Sequence, residues 1–160
     1  MPKKTCLRVR GADRCVKVDP DILLLASDRS WHVHQGYPAT TVGSGKKAYK
    51  LYLHRFVTRA TSGTIIDHAN GDHFDNRRAN LRLASKAQNT INTGPLRTNK
   101  SGMKGVVKKG NRFRAFIHKD GKTQYLGSFQ TKQEAACEYD RAAKKLFGKF
   151  AKVNGGKCPR

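Results

Sequence analysis

Ile66-Asp67-His68-Ala69-Asn70-Gly71-Asp72, then Asn76-Arg77-Arg78-Ala79-Asn80-Leu81-Arg82, then Gln88-Asn89, decide the reading of this chain. From Asp67 to Asn89, 23 residues bring together a carboxylate, an imidazole and amides. The β-branched run Thr64-Ile65-Ile66 predicts a strand leading straight into Asp67-His68. The polar stretch from Asn70 to Asn80 predicts a loop, and the alternating Leu81-Arg82-Leu83 a return strand. Ser85-Lys86-Ala87-Gln88 has the spacing of a capping box, which puts Asn89 in the first turns of a short helix. The expected unit is strand–loop–strand–helix over residues 64–92.

Cutting a phosphodiester near neutral pH needs a base to take a proton from water. It also needs a cation to neutralise the phosphate and the leaving oxygen. Magnesium prefers oxygen ligands and keeps several waters, so one carboxylate and one amide suffice from the protein. Asp67 and Asn89 can supply them, with manganese an alternative that the same ligands suit. Asp67 and His68 would face opposite ways on an extended strand, so the strand must end or twist there. Asn70, Asp72, Asp75 and Asn76 read as turn formers bonding their own backbone. His73 reads as incidental.

The charge balance points the same way. Lys and Arg total 33 against 11 acids, a formal net of +22. Residues 1–98 carry a net of +10 and residues 99–160 a net of +12, so this is not one basic tail. Such a surface attracts phosphate backbones. Hydrophobic residues make up 37%, which implies a modest core. No stretch approaches the roughly 20 apolar residues of a membrane span. A soluble, cytoplasmic protein is expected. Cys6, Cys15, Cys137 and Cys158 form no Cys-x-x-Cys pair, so no structural zinc is expected, and free thiols are the default in a reducing compartment.

Upstream, residues 5–57 read as strands with tight turns. Cys15 to Val18 is a strand ended by Asp19-Pro20, and Trp31 to Val33 is another. Thr40-Thr41-Val42 and Ala48 to Tyr52 flank a glycine-rich hairpin turn, and Leu53 to Val57 is a short helix. Downstream, residues 93–100 read as a linker. Three strands follow, Lys104–Lys108, Arg112–His118 and Lys122–Leu126, joined by Gly110-Asn111 and Asp120-Gly121 turns. A helix then runs from Thr131 to about Phe147, buried through Ala135, Ala136, Tyr139, Ala142, Ala143 and Leu146. On the middle strand Arg112, Arg114, Phe116 and His118 share one face, and Phe113, Ala115 and Ile117 the other. The first face suits a DNA groove.

Leu53-His54-Arg55, Asp67-His68-x-Asn70-Gly71-Asp72, Asp75-Asn76-Arg77-x-x-Asn80-Leu81-Arg82 and Gln88-Asn89 resemble the HNH endonucleases of phages and mobile introns. The resemblance covers about residues 15–92. It implies His68 as general base, Asp67 and Asn89 as ligands of one divalent metal, and Asn80 as the residue tying the loop to the helix and so orienting His68. His54 is also a family position, though a histidine beside Leu53 and Phe56 is as often structural. Arg77, Arg78 and Arg82 read as phosphate contacts.

Over about residues 101–154, Gly102-x-x-Gly105-Val106, Phe113-Arg114-Ala115-x-Ile117, Tyr125-Leu126-Gly127-x-Phe129, Glu134-Ala135-Ala136-x-x-Tyr139-Asp140-x-Ala142-Ala143 and Gly148-x-x-Ala151-x-x-Asn154 resemble the DNA-binding domain of plant ethylene-response factors. By position, Lys104, Lys109, Arg112, His118 and Tyr125 would contact DNA. Val107 replaces a base-reading Arg of that family, Phe116 a Glu and Tyr125 a Trp, so its target sequence cannot be inherited.

The sequence therefore predicts an α+β chain. An HNH domain occupies residues 1–92, with its ββα-metal core at about 64–92, and a DNA-binding domain occupies 101–155. The expected activity is homing-type endonuclease action on double-stranded DNA, in a phage-infected or bacterial cell. A monomer with one site would nick, and a dimer is the alternative. A non-catalytic DNA-binding regulator with a vestigial nuclease domain is the second reading. An RNA-directed nuclease is the third, and no RNA module supports it.

Overall fold

The computed structural model describes residues 5–156 and 158. The chain divides into two compact units, one up to Lys86 and one from Ala87 onward. Both are mixed α and β, built from small antiparallel sheets.

The first unit opens with a short hairpin, β1 (Cys6–Leu7) against β2 (Val16–Lys17). A helix that the sequence reading missed follows, α1 (Pro20–Ala26). Asp19-Pro20 ends a strand, but proline is also preorganised for the first turn of a helix. Ile22 and Ala26, four apart, are buried, while Leu24 and Leu25 stay exposed. The Asp19 carboxylate does not cap this helix; it accepts the backbone N–H of Arg78 at 2.8 Å.

A three-stranded meander comes next: β3 (His32–His34), β4 (Tyr37–Val42) and β5 (Tyr49–Tyr52). It runs directly into α2 (Leu53–Thr58), which buries Leu53 and Val57 four residues apart. These pack with Leu7, Val9, Val16, Val18, Ile22, Ala26 and Trp31 as the core. The expected strand pair is β6 (Ile65–His68) and β7 (Leu81–Ala84), with Asp67 opposite Arg82 and His68 opposite Leu81. The helix carrying Asn89 is α3 (Lys86–Ile91).

The second unit orders its strands β10-β9-β8: β8 (Val106–Lys109), β9 (Arg112–Lys119) and β10 (Lys122–Phe129). Asp120 and Gly121 both have positive φ, as a two-residue type I′ hairpin demands. The first strand starts at Val106 and not at Lys104. Gly105 turns there at φ +72°, and an added Cβ would lie 2.0 Å from the Tyr139 ring. The third strand runs on to Phe129 through a bulge between Tyr125 and Gly127. Helix α4 (Lys132–Phe147) opens with the expected capping box: Glu134 N donates to Thr131 Oγ1, and Thr131 N to the Glu134 carboxylate. It buries Ala135, Ala136, Tyr139 and Ala143 against Val106, Ala115 and Ile117.

The free-thiol expectation is overturned. Cys6 pairs with Cys15, and Cys137 with Cys158, across Cα separations of 5.4 and 5.5 Å, within the span a disulfide bridges. Residues 9 and 21 positions apart meet only through the fold, which sequence spacing did not reveal.

Candidate functional site

Strand β6 extends through His68 and ends there. Asp67 and His68 are each only 4% exposed. From the opposite strand, Arg82 Nε donates to Asp67 Oδ2 at 2.7 Å, and its Nη2 lies 2.6 Å from the same oxygen. Arg82, expected at a phosphate, is thus engaged with the expected metal ligand.

His68 enters a cluster of rings drawn from four strands, a helix and a loop. His54 lies edge-on to it at 5.5 Å between centroids, and His73 sits at 5.4 Å. Tyr37 stacks on His73 at 3.9 Å and approaches His68 at 6.3 Å. Tyr52 stacks on His54 at 5.7 Å, and its hydroxyl is 3.0 Å from His34 Nδ1. His73 is therefore not incidental. The sequence signal that could have found it is weak, because Tyr37 and His73 are remote in the chain.

Burial drives the electrostatics here. It pushes the His68 pKa down, aided by the charge of His73 and opposed by the Asn76 hydrogen bond and by Asp67 and Asp72. Burial likewise lowers His73 and takes His54 down to about 4, with the charges of His68, Arg55 and His73 adding to it. His54 Nδ1 is buried without a hydrogen-bond partner. Low dielectric disfavours the charged imidazolium, so these rings are neutral at pH 7. A neutral ring has a lone pair with which to take a proton.

The loop between β6 and β7 is held by its own side chains. Asn80 Oδ1 accepts from Asn70 N at 3.0 Å, and Asn80 Nδ2 donates to Asp75 O at 2.7 Å. Both bonds stay inside the loop, whereas the resemblance had Asn80 tie the loop to the helix. Asn70 Oδ1 accepts from Asp72 N, and Asp72 Oδ1 from Phe74 N, the Asx turns expected. Asp75 is 1% exposed and takes Arg77 Nε and Nη2 at 2.7 and 2.6 Å, which holds its carboxyl below the usual range. Asn76 departs from the turn-former reading. Wholly buried, it donates Nδ2 to His73 O at 2.9 Å and places Oδ1 3.4 Å from His68 Nε2. The hairpin β1–β2 braces this loop from outside: Lys17 N donates to Phe74 O, and Asn76 N to Lys17 O, both at 2.8 Å.

The expected DNA contacts fall into two groups. Arg77 is paired with Asp75, and Arg78 with Asp21 and Asp19. In the second unit, Lys109, Arg112, Arg114, His118 and Tyr125 are exposed and Phe116 half-buried. Phe116 and Tyr125 lie opposite each other on neighbouring strands, their rings 5.4 Å apart. Arg112 donates to Ser128 across the sheet. Lys104 instead donates to the carbonyls of Ile91 and Thr93, at 2.5 and 2.6 Å. Asn89 lies on α3, in the second unit.

Comparison with known proteins matches the HNH endonuclease family over residues 52–91, a span from α2 to α3 that includes His54, Asp67, His68, Asn80 and Asn89. An uncharacterized HNH endonuclease of Acanthamoeba polyphaga mimivirus is 32% identical over 154 residues, which cover 91% of this chain and 77% of that protein. The chain belongs to the HNH endonuclease family. Protein 3.8 of Escherichia phage T7 is 30% identical over 119 residues, 67% of this chain and 98% of its own length. The two alignments extend the likeness of this HNH protein well past the matched motif.

Proposed function

We propose that this protein hydrolyses phosphodiester bonds of double-stranded DNA by metal-assisted nicking, as a homing-type HNH enzyme. The observation that carries the reading is the end of β6, where a buried carboxylate and a buried neutral imidazole are adjacent. His68 takes a proton from water as the water attacks phosphorus. Among the described residues no group of three or more His, Cys, Asp or Glu side chains is placed to hold a metal ion. By the family resemblance, the Asp67 carboxylate and the Asn89 amide would hold such an ion together with water, oxygen ligands that suit magnesium, or manganese in its place. Such an ion, when bound, neutralises charge on the scissile phosphate and the leaving oxygen. Asn80 keeps the loop closed behind His68.

The second unit supplies binding, in the manner of the ethylene-response-factor fold it resembles. Its outer sheet face presents Lys109, Arg112, Arg114, Phe116, His118 and Tyr125 to a major groove. Arg77 and Arg78 add phosphate contacts with the N–H groups their carboxylates leave over, Arg82 joins only by yielding its bond to Asp67, and Lys104 only by releasing its two carbonyls. Residues 1–92 act as the nuclease domain and 101–155 as the binding domain. The protein works as a monomer that nicks. Its relatives come from a virus and a phage, which supports a setting in an infected cell. Among the described residues no helix is long and apolar enough to cross a membrane.

The Arg82–Asp67 ion pair favours one rival, a DNA-binding regulator in which Asp67 no longer takes a metal. Supercoiled DNA incubated with wild type and His68→Ala, with magnesium and with chelator, separates the two. Open-circle product from wild type alone, and only with metal, supports the nuclease. Intact native target DNA bound by wild type supports the regulator.

A further inference from the structure

We propose that Asn76 is a positioning residue that fixes His68 in the Nε2–H form, leaving Nδ1 as the nitrogen that accepts the proton from water. This rests on the reading of His68 as the base. The orientation of one buried amide decides the tautomer. The His73 carbonyl accepts only, so the Asn76 atom 2.9 Å from it is the NH2 group. The other atom of that amide is therefore oxygen, and it faces His68 Nε2 at 3.4 Å. An amide oxygen accepts only, so Nε2 must carry the hydrogen. A neutral imidazole has one N–H, which puts the lone pair on Nδ1.

Asn76 cannot turn to offer its NH2 group instead. Its side chain is sealed from solvent. A flip would set oxygen against the His73 carbonyl and leave two buried acceptors unpaired, at a cost of about 1–3 kcal/mol each. Its backbone is pinned by the bond from Asn76 N to Lys17 O. The length of the contact to His68 fits an unliganded site, where such bonds are loose and tighten with substrate. The Asn80 side chain bonds loop atoms, whereas the Asn76 oxygen faces the His68 ring.

The test compares full-length wild type, Asn76→Ala and Asn76→Asp, the last keeping an oxygen acceptor against Nε2 while losing the donor to the His73 carbonyl. Folding of each is checked by emission of Trp31, the sole tryptophan. Nitrogen-15 spectra of the His68 ring read the tautomer directly, with or without activity. The expected wild-type form is Nε2–H, retained in Asn76→Asp and mixed in Asn76→Ala. Nicking of bound DNA by Asn76→Ala should fall roughly 10- to 100-fold in kcat with KM unchanged, and Asn76→Asp should recover part of it. Wild type in the Nδ1–H form overturns the proposal, as does an Asn76→Ala protein that folds and keeps its kcat. Absence of nicking by wild type on its native target would instead overturn the nuclease reading, while the spectra still decide the tautomer.

Discussion

Acid should unfold the first unit through His54 before its carboxylates protonate. Burial takes the pKa of this ring from 6.5 to about 4. The unfolded chain therefore binds more protons than the native one across that window, and stability rises with pH from about 4 to 6.5 and is flat above it. A shift of that size is worth about 3 kcal/mol, all of it present at pH 7 and nearly all lost at pH 4. Trp31 reports the unit alone, since it is 2% exposed and packs edge-on to Phe56 at 5.7 Å. Urea unfolding followed by its emission, at steps from pH 7.5 to 4, is the assay. With a slope of about 1 kcal/mol per molar for so small a unit, His54 alone should lower the midpoint by about 3 M over that range. His54→Phe keeps a ring against Tyr37 and Tyr52 and removes the titrating nitrogen. It should be no less stable at pH 7, because it also removes a buried unpartnered atom. His68 and His73 contribute with the same sign in both proteins, so the difference between the two pH profiles isolates His54. Parallel profiles for wild type and His54→Phe would mean that protonation of His54 is not what unfolds the unit.

Arg82→Met leaves the Asp67 carboxylate buried without its counter-charge. Unit stability at pH 7 should drop by about 3 kcal/mol, and an unchanged Trp31 unfolding midpoint would show that the pair is not structural. Gly105→Ala sets a Cβ 2.0 Å from the Tyr139 ring and 2.6 Å from Phe116 O at φ +72°. Overpacking and the left-handed backbone together should cost the second unit about 3 kcal/mol or more, visible as early loss of its circular-dichroism signal on heating. Arg114→Ala with Tyr125→Ala should weaken DNA binding and flatten its salt dependence without changing kcat on saturating DNA. A lowered kcat with intact affinity would contradict a purely binding role for the outer sheet face.

Features written within a few residues were legible from sequence. The β-branched approach to Asp67, the Asp120-Gly121 turn and the Thr131–Glu134 capping box each act over one to four positions, and each forms as expected. What was missed depends on contacts between distant segments. Pro20 starts a helix because Ile22 and Ala26 find a core to bury against, and nothing local distinguishes that from a strand end. Lys104 turns to the carbonyls of Ile91 and Thr93, and Gly105 delays β8, because Tyr139 of the helix fills the space beside it. The ring cluster draws His34, Tyr37, Tyr52, His54, His68 and His73 from strands, a helix and a loop, so no window of sequence contains it. Asn76 sits in a run of turn formers and differs from them only in which ring the fold brings to its oxygen.

The ion pairs show how a chain of net charge +22 can keep its base from being weakened further. Five of the seven acids in residues 1–98, Asp19, Asp21, Asp67, Asp72 and Asp75, are paired with Arg14, Arg77, Arg78 or Arg82. Three of those arginines lie on the loop and return strand beside His68. Without their carboxylates, their charges would depress an imidazole that burial has already lowered. On the outer face of the second unit no such restraint operates. The Arg141–Glu138 ion pair lies on the helix and not on the sheet. The positive field is thus muted where a base must stay strong enough to take a proton. It is left open on a sheet face whose proposed task is to hold phosphate.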